Sequence, residues 1–388
     1  YPWQTGVYGN DSFRDHCPDV ATLPQLLREQ GYFTARVGKI YHMGIPGGIG
    51  TPGHDDPLAW DLTVNNTGWD AKKENLAKVH KIADIGLGIC PAWHATEIPD
   101  TEMADGQGTQ NAIKLMKAFH PDKTGQPLML AMGYYRPHPP MVAPKKYFDM
   151  HPLSSVELPN VPENDREDIP EVAFELKGKA FNFISESNGK HYTQAYYAAV
   201  SFIDAQVGML INALKENNLY ENSIIIFVGD QGFHLGEHGH WHKTTLFEEG
   251  TKVPLIIAGK GVTTSGKKCK TVTELVDVYP TLTDLLDLEK PHEMPGKSLT
   301  GILTGDSEPG NTTALTAVRQ ANGISMRTGR YRLTSWTIDG EKVYELYDHQ
   351  NDPNEWNNLA LNPEYKNILT TLLSLLNEKY KPEILFTQ

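Results

Sequence analysis

The chain has few cysteines, and they form no pattern. Its 388 residues include 3 of them, Cys17, Cys90 and Cys269, an odd number at wide spacing. A disulfide framework needs an even set and a zinc site needs closely spaced ligands, so the sequence predicts neither. We expect isolated, mostly buried thiols, which do not indicate a cellular compartment.

Long apolar runs and an excess of positive charge are also missing. No apolar run approaches the roughly 20 residues of a membrane-spanning helix, so we expect no membrane span. The chain carries 35 Lys and Arg against 48 Asp and Glu, a net charge of −13, so it lacks the basic excess typical of nucleic-acid-binding proteins. We therefore expect no nucleic-acid partner. An anionic substrate would need a local cationic pocket, which can act despite the overall charge because salt screens charges beyond about 8 Å.

The apolar patterns that are present predict strands alternating with helices. The predicted strands cover 32–37, 127–134, 224–228 and 253–258, and the predicted helices cover 19–30, 108–119, 192–217 and 273–288. Such alternation indicates an α/β fold with a large, mostly parallel sheet sandwiched by helices. Residues 45–100 and 151–190 show weak periodicity, and we expect surface insertions there.

The last part of the sequence differs in character. Residues 323–337 and 342–347 are predicted to form short antiparallel strands, and a terminal helix follows near 365–380. We therefore predict a main α/β domain over 1–290 and a small C-terminal α+β subdomain over 291–388.

Ionisable side chains cluster just after three of the predicted strands. Open α/β sheets bind ligands at the carboxyl ends of their strands, so we expect one shared site there. The candidates are Lys39 and His42 in the first loop, Arg136 and His138 in the second, and Asp230, Gln231, His234, His238, His240, His242 and Lys243 in the third. A histidine-rich surface loop is the alternative interpretation of the third.

Asp230 and Gln231 offer two hard oxygen atoms side by side. Carboxylate and amide oxygens suit calcium or magnesium better than zinc. The pair thus favours an oxygen-ligated cation, with a helix-capping or turn-capping role for Asp230 as the alternative. A Cys2His2 zinc site is excluded because no cysteine lies near the histidines.

The basic side chains of these loops suit an oxyanion. Lys39 and Lys243 are fixed cations, and His42 can move protons near neutral pH. His138 stands between two prolines, so its backbone is rigid, as a general acid requires. Arg136 is a further candidate anion anchor, with a structural ion pair as its alternative. Taken singly these residues could be solvated surface groups; together they predict a site that transfers an oxyanion group.

Long segments around these residues resemble type I sulfatases of the alkaline phosphatase superfamily, most closely the iduronate-2-sulfatase-like group. The similar segments are VGKIYHMG, GYYRPHPPMVAP, VGDQGFHLGEHGHWHKTTLFEE, ELVDVYPTLTDLL and YELYDHQNDPNEWNNLA. They follow the order of that family and extend across nearly the whole chain. The resemblance implies the sulfatase fold and a sulfuric ester hydrolase activity.

The resemblance also implies a role for each residue. It implies that Asp230 and Gln231 bind calcium and that Lys39 and Lys243 contact the sulfate oxygens. It also implies that His42 contacts a hydrated aldehyde nucleophile. His138, assisted by Lys243, would protonate the departing sugar oxygen. Apart from the resemblance, contacts to the substrate are expected from Arg136, His234, His238, His240 and His242. Of these, His234, His240 and His242 are expected to contact a uronate carboxylate, because they lie close to Lys243 in the sequence.

The nucleophile of that family is missing from the sequence. It is a formylglycine made from the first residue of a C/S-x-P-S-R motif, in which no cysteine of this chain stands. Two aspartates that complete the calcium site in the family are missing as well. The opening YPWQTGVYGN resembles the segment soon after that motif, so we expect the nucleophile, the aspartates and an N-terminal strand upstream of Tyr1. Without that strand a sheet edge would be exposed, and the residues present should pack poorly alone.

The sequence therefore predicts a hydrolase that removes sulfate from a sulfated, uronic-acid-containing polysaccharide or oligosaccharide. Ca²⁺ and formylglycine are the expected cofactors, and the family implies a secreted or periplasmic location. Two alternatives stay open: a phosphoester or phosphonate hydrolase of the same superfamily, and a degenerate protein that binds sulfated glycans without catalysis.

Overall fold

The computed structural model describes residues 1–174, 184–307, 312–318 and 322–381. Its strands are β1 (Phe33–Gly38), β2 (Leu62–Val64), β3 (His80–Lys81), β4 (Ala92–Thr96), β5 (Leu128–Gly133), β6 (Met141–Pro144), β7 (Ile224–Val228), β8 (His234–Leu235), β9 (Trp241–His242), β10 (Leu255–Gly259), β11 (Ala314–Val318), β12 (Gly323–Arg327), β13 (Tyr331–Ile338) and β14 (Glu341–Asp348). Its α-helices are α1 (Pro2–Thr5), α2 (Phe13–His16), α3 (Leu23–Glu29), α4 (Lys73–Leu76), α5 (Ala104–Ala118), α6 (Pro121–Thr124), α7 (Lys145–Asp149), α8 (Glu186–Glu216), α9 (Glu248–Thr251), α10 (Val278–Leu285), α11 (Thr300–Thr304) and α12 (Lys366–Lys379).

The chain divides into two compact units. The first unit comprises Tyr1–Gly9, Pro159–Asn182 and Asn222–Gln388, and the second unit comprises Asn10–Leu158 and Phe183–Glu221. The domain boundary predicted at residue 290 falls within the first unit, and the division into 1–290 and 291–388 stays a prediction.

A parallel sheet in the order β2-β1-β5 lies in the second unit. The last five residues of the middle strand β1 are buried, as expected for a strand with neighbours on both sides and covered faces. In the same unit, α8 packs against α5, α7 and the parallel pair β4–β6. The α/β class predicted from alternating strands and helices is confirmed.

Part of the segment 45–100 belongs to these sheets. β2 pairs in parallel with β1, and β4 pairs in parallel with β6. β2 has 3 residues and β4 has 5, so neither is long enough for its periodicity to mark it in the sequence. The prediction of a surface insertion throughout this segment was wrong.

β7 and β10 form an antiparallel pair in the first unit. The sequence predicted both as buried strands of a mostly parallel sheet, yet Val228 is 44% exposed and Ile256 is 56% exposed. An apolar run indicates a strand, but it identifies neither the partner strand nor the direction of pairing.

The predicted C-terminal antiparallel sheet is confirmed. β11, β12, β13 and β14 pair in that order, and the predicted strand 323–337 is two strands separated by residues 328–330. The sheet packs against the terminal helix α12 through Met326, Leu333, Leu346, Leu372 and Leu376.

Cysteine burial and helix length bear on two expectations from composition. Cys17 and Cys90 are buried and Cys269 is exposed, in keeping with mostly buried thiols.

Among the described helices, α8 is long and apolar enough to cross a membrane, with a mean hydropathy of 1.3 over an 18-residue window that is 28% buried. Polar residues such as Asp204 interrupt this stretch, so it is not a continuous apolar run. One such helix is weak evidence for a span, because core helices share its length and composition.

Candidate functional site

Two glycines bring the ends of β1 and β5 together in the second unit. Gly38 pairs in register with Gly133, and the Lys39 amide donates to the Gly133 carbonyl at 2.9 Å. A Cβ atom on Gly133 would lie 1.7 Å from the Lys39 carbonyl oxygen, so only glycine fits this approach. The loops that carry Lys39 and His138 therefore begin at adjacent strand ends.

Arg136 is part of a buried ion pair. Its Nη2 lies 2.7 Å from Asp70 Oδ2, and both side chains are 0% exposed. Its Nη1 donates to the His138 carbonyl at 3.0 Å, and its Nε donates to the Val142 carbonyl at 3.1 Å. These contacts match the structural ion pair considered as the alternative for Arg136, and they fix the backbone around His138. Substrate binding by Arg136 stays a prediction that this arrangement does not favour.

Asp105 holds the same loop by its backbone. Its two oxygens accept the N–H groups of Tyr135 at 2.7 Å and Arg136 at 3.1 Å. Burial raises the pKa of the Asp105 carboxyl to about 7, because the ionised form loses its hydration. Asp70 is 66 residues from Arg136 and Asp105 is 31 residues from it, so no local pattern in the sequence indicated either partner.

His138 and His42 are half-buried histidines of the second unit. His138 Nδ1 donates to the Pro139 carbonyl, 2.7 Å away. A ring protonated on both nitrogens keeps this bond and presents a proton on Nε2, which suits a general acid. His42 lines a cavity of about 500 Å³ with Asn10 and His54. The sequence analysis did not single out His54, whose ring centre lies 6.4 Å from that of His42.

Asp230 and Gln231 follow β7 in the first unit, and both are exposed. The next residue, Gly232, donates its N–H to the Gly250 carbonyl at 3.1 Å and so anchors the turn. Carboxylate and amide oxygens are the donors that Ca²⁺ prefers, and their exposure leaves space for the rest of its about six to eight ligands. The two residues present therefore fit a calcium ion.

The four histidines of the third loop are buried. Their exposed fractions are 0% for His234, 0% for His238, 2% for His240 and 3% for His242. His234 Nε2 lies 2.7 Å from Thr245 Oγ1. Burial lowers the pKa of His240 to about 4 and the pKa of His234 well below its usual range, so both rings are neutral at pH 7. Their burial favours a role inside the protein, and the predicted substrate contacts stay a prediction.

The candidate residues are divided between the two units. The second unit contains Lys39, His42, Arg136 and His138, and the first contains Asp230, Gln231, His234, His238, His240, His242 and the half-buried Lys243. Their convergence on one sulfate-sized site stays a prediction.

Comparison with known proteins places these features in a family. The Sulfatase family matches residues 1–288, and the family described as N-sulphoglucosamine sulphohydrolase, C-terminal, matches residues 236–381. A sulfatase of Formosa agariphila is 30% identical to this chain over 97% of the chain and 74% of its own length. Iduronate 2-sulfatase of Mus musculus is 30% identical over 76% of this chain and 59% of its own length.

A solved structure has the same fold. The phosphonate monoester hydrolase of Silicibacter pomeroyi superposes with a TM-score of 0.76 at 19% identity, covering 97% of this chain and 83% of that one. At that identity the likeness shows the fold alone, which is alkaline phosphatase-like. Within that class, the chain belongs to the sulfatase family.

Proposed function

We propose that this chain carries much of the active site of a sulfuric ester hydrolase that acts on a sulfated, uronic-acid-containing glycan. The match of the Sulfatase family over residues 1–288 carries the proposal. The uronic acid is inferred from the 30% identity to a relative named iduronate 2-sulfatase, of whose length the chain spans 59%. A secreted or periplasmic location is part of the proposal and rests on the family expectation alone.

In the proposed reaction, cations of this chain bind the sulfate group. Lys39 and Lys243 would hold its oxygens and offset the charge that develops on the transferring group. Asp230 and Gln231 would hold Ca²⁺, which would supply further positive charge to stabilise the transferring group. A formylglycine, when present, supplies the nucleophilic oxygen, and His42 would contact it. Ester and water become alcohol and hydrogen sulfate.

His138 would give a proton to the departing sugar oxygen. Its Nδ1 bond to the Pro139 carbonyl orients the ring, and Arg136 and Asp105 hold the backbone of the loop before substrate binds. A sugar alkoxide is a poor leaving group, whereas an aryl oxide leaves readily without a proton. Protonation should therefore matter far more for a glycan sulfate than for an aryl sulfate.

The variant His138→Asn tests this role. In the full-length protein with its nucleophile in place, we expect kcat on a sulfated uronate disaccharide to fall about 10²- to 10⁴-fold. The fall on an aryl sulfate should be much smaller, and sulfate release measured by ion chromatography gives both rates. Lys145→Gln is the matched control, because Lys145 is exposed and its ammonium lies 2.5 Å from Asp149, one helical turn away. Equal losses on both substrates would contradict a general-acid role.

Phosphonate hydrolysis is the second candidate, because the hydrolase of Silicibacter pomeroyi shares the fold. A full-length protein with a higher kcat/KM for a phosphonate monoester than for any glycan sulfate would overturn the sulfatase proposal. Tight binding of a sulfated glycan by a protein that hydrolyses neither substrate would instead support the non-catalytic alternative.

A further inference from the structure

Three metal-ligand side chains meet inside the first unit. One imidazole nitrogen of His238 and one carboxylate oxygen from each of Glu249 and Glu355 lie within 4.8 Å of one another. We call these residues the carboxylate–imidazole cluster. His238 and Glu355 are each 0% exposed, and none of the three was predicted to bind a metal.

Two atoms of the cluster are buried without a hydrogen-bond partner in the described part of the chain. They are His238 Nε2 and Glu249 Oε2. A buried polar atom left unpaired is costly, and the cluster contains two such atoms. One small species bound among the three side chains would give both atoms a partner.

The His238 ring is already oriented for a ligand. Its Nδ1 lies 3.1 Å from Asp165 Oδ1, and the ring stacks on Phe247 with 4.1 Å between centres. A carboxylate on the far nitrogen of an imidazole is the usual partner of a metal-binding histidine, because it fixes the ring and the tautomer. Because Nδ1 is bonded to Asp165, Nε2 is the nitrogen left for an ion shared with Glu249 and Glu355.

The Glu355 carboxylate can take part although it is bonded. Its Oε1 accepts from Arg332 Nε at 2.5 Å and from His349 at 2.7 Å, whereas Oε2 accepts the Glu248 N–H at 2.8 Å. A carboxylate oxygen has two lone pairs, so Oε2 keeps one for an ion.

A cavity of the same unit reaches one member of the cluster, Glu249. Glu249 lines a cavity of about 700 Å³, together with Glu248 and His349. An ion could therefore reach Glu249 from solvent without unfolding of the first unit.

We propose that the carboxylate–imidazole cluster binds one divalent transition-metal ion, with Zn²⁺ or Mn²⁺ as the fitting class. One imidazole nitrogen and two carboxylate oxygens form a mixed donor set that such ions accept at about 2.0–2.2 Å, whereas Ca²⁺ prefers oxygen alone. Ligand atoms of a tetrahedral site at this distance lie about 3.4 Å apart, so side-chain shifts of up to about 1 Å would close the 4.8 Å spread. The ion joins three separate segments of the first unit and places His238 in a structural role. It uses neither Asp230 nor Gln231.

Metal analysis of the full-length, tag-free protein tests the site. After Zn²⁺ loading and desalting, we expect about one zinc per chain by mass spectrometry of the metals. Adding Zn²⁺ to chelator-treated protein should raise Tm by about 4 °C at 100 times Kd. His238→Gln and Glu249→Gln should lose both effects. Glu167→Gln, at an exposed carboxylate of the same unit, is the matched control and should keep both.

Two further measurements keep the proposal open to refutation if the variants do not fold. Asp230→Asn should keep the zinc, since that residue is outside the cluster. Anomalous diffraction at the zinc edge should give a peak between His238 and Glu249 in the wild type. A folded wild type without zinc, a water at that position, or a Glu249→Gln variant with full zinc overturns the site. None of these readouts is sulfatase activity, so a failure here is distinct from a failure of the proposed function.

Discussion

The loop around His138 and the loop of four histidines differ in how their buried polar groups are satisfied. In the first, all three guanidinium nitrogens of Arg136 donate hydrogen bonds to protein acceptors, and both carboxylate oxygens of Asp105 accept hydrogen bonds from the backbone. In the second, His238 Nε2 has no hydrogen-bond partner among the described residues. The buried polar groups of the first loop are thus satisfied by protein partners, and they hold one half-buried histidine in place. The second loop instead leaves a buried imidazole nitrogen without a protein partner.

This difference changes how a histidine-rich motif should be interpreted. The segment HLGEHGHWH contains four of the 15 histidines of the chain, yet none of the four is more than 3% exposed. His138, alone between two prolines, is more accessible than any of them. The number of histidines therefore indicates a packed polar interior here, and the isolated histidine is the better candidate for proton transfer.

Breaking the support of the His138 loop should have the largest effect. Arg136→Met keeps the length of the side chain but leaves the buried Asp70 carboxylate without its 2.7 Å partner. Removal of one member of a buried pair typically costs about 3–5 kcal/mol, because an uncompensated charge stays in the interior. Urea denaturation of the full-length protein would measure the loss.

The matched control is Arg28→Met. Arg28 also pairs with an aspartate at 2.7 Å, but its side chain is 40% exposed and that of Asp61 is 27% exposed. Solvent screens this pair, so its loss should cost less than about 1 kcal/mol. Equal losses at the two positions would mean that the Arg136 ion pair does not stabilise the loop as its burial implies.

The strand ends near these loops could be predicted from the sequence, but the buried contacts that hold the loops in place could not. The sequence predicted strands over 32–37 and 127–134, so the positions of Lys39 and His138 just beyond them followed from local pattern. The Asp70–Arg136 pair joins residues 66 apart and has no local signal. The exposure of Val228 was not predicted either, although its strand was. An apolar run in the sequence indicates a strand, but it does not show which parts of the protein cover that strand.

The second test concerns acid sensitivity of the histidine loop. The pKa of His240 is lowered by burial from 6.5 to about 4. As pH falls, the unfolded chain is protonated first, so the stability that neutral His240 contributes is present above pH 6.5 and is lost between 6.5 and 4. At pH 5 the loss is about 2 kcal/mol by this linkage.

His240→Gln should remove that pH-dependent contribution. The difference in unfolding free energy between wild type and variant should change by about 2 kcal/mol from pH 7 to pH 5, measured by urea denaturation at both values. Acids with a raised pKa, such as Asp105, change the unfolding free energy with pH in the opposite direction. Their contribution is the same in both proteins, so it cancels when the free energy of the variant is subtracted from that of the wild type. His80→Gln, at an exposed position, should show the wild-type pH dependence. A constant difference at the two pH values would count against a neutral, buried His240.

The smallest expected effect tests how far the histidine loop depends on single hydrogen bonds. Thr245→Val keeps the volume but removes the hydroxyl that lies 2.7 Å from His234 Nε2. A neutral buried hydrogen bond contributes about 1 kcal/mol net, so the unfolding free energy should fall by that amount. Thr370→Val is the control, because its hydroxyl bonds an exposed helix carbonyl at 2.9 Å and should contribute almost nothing. If Thr245→Val lowered the unfolding free energy as much as Arg136→Met, the two loops would not differ in this respect. The histidine loop would then also depend on a rigid network of hydrogen bonds.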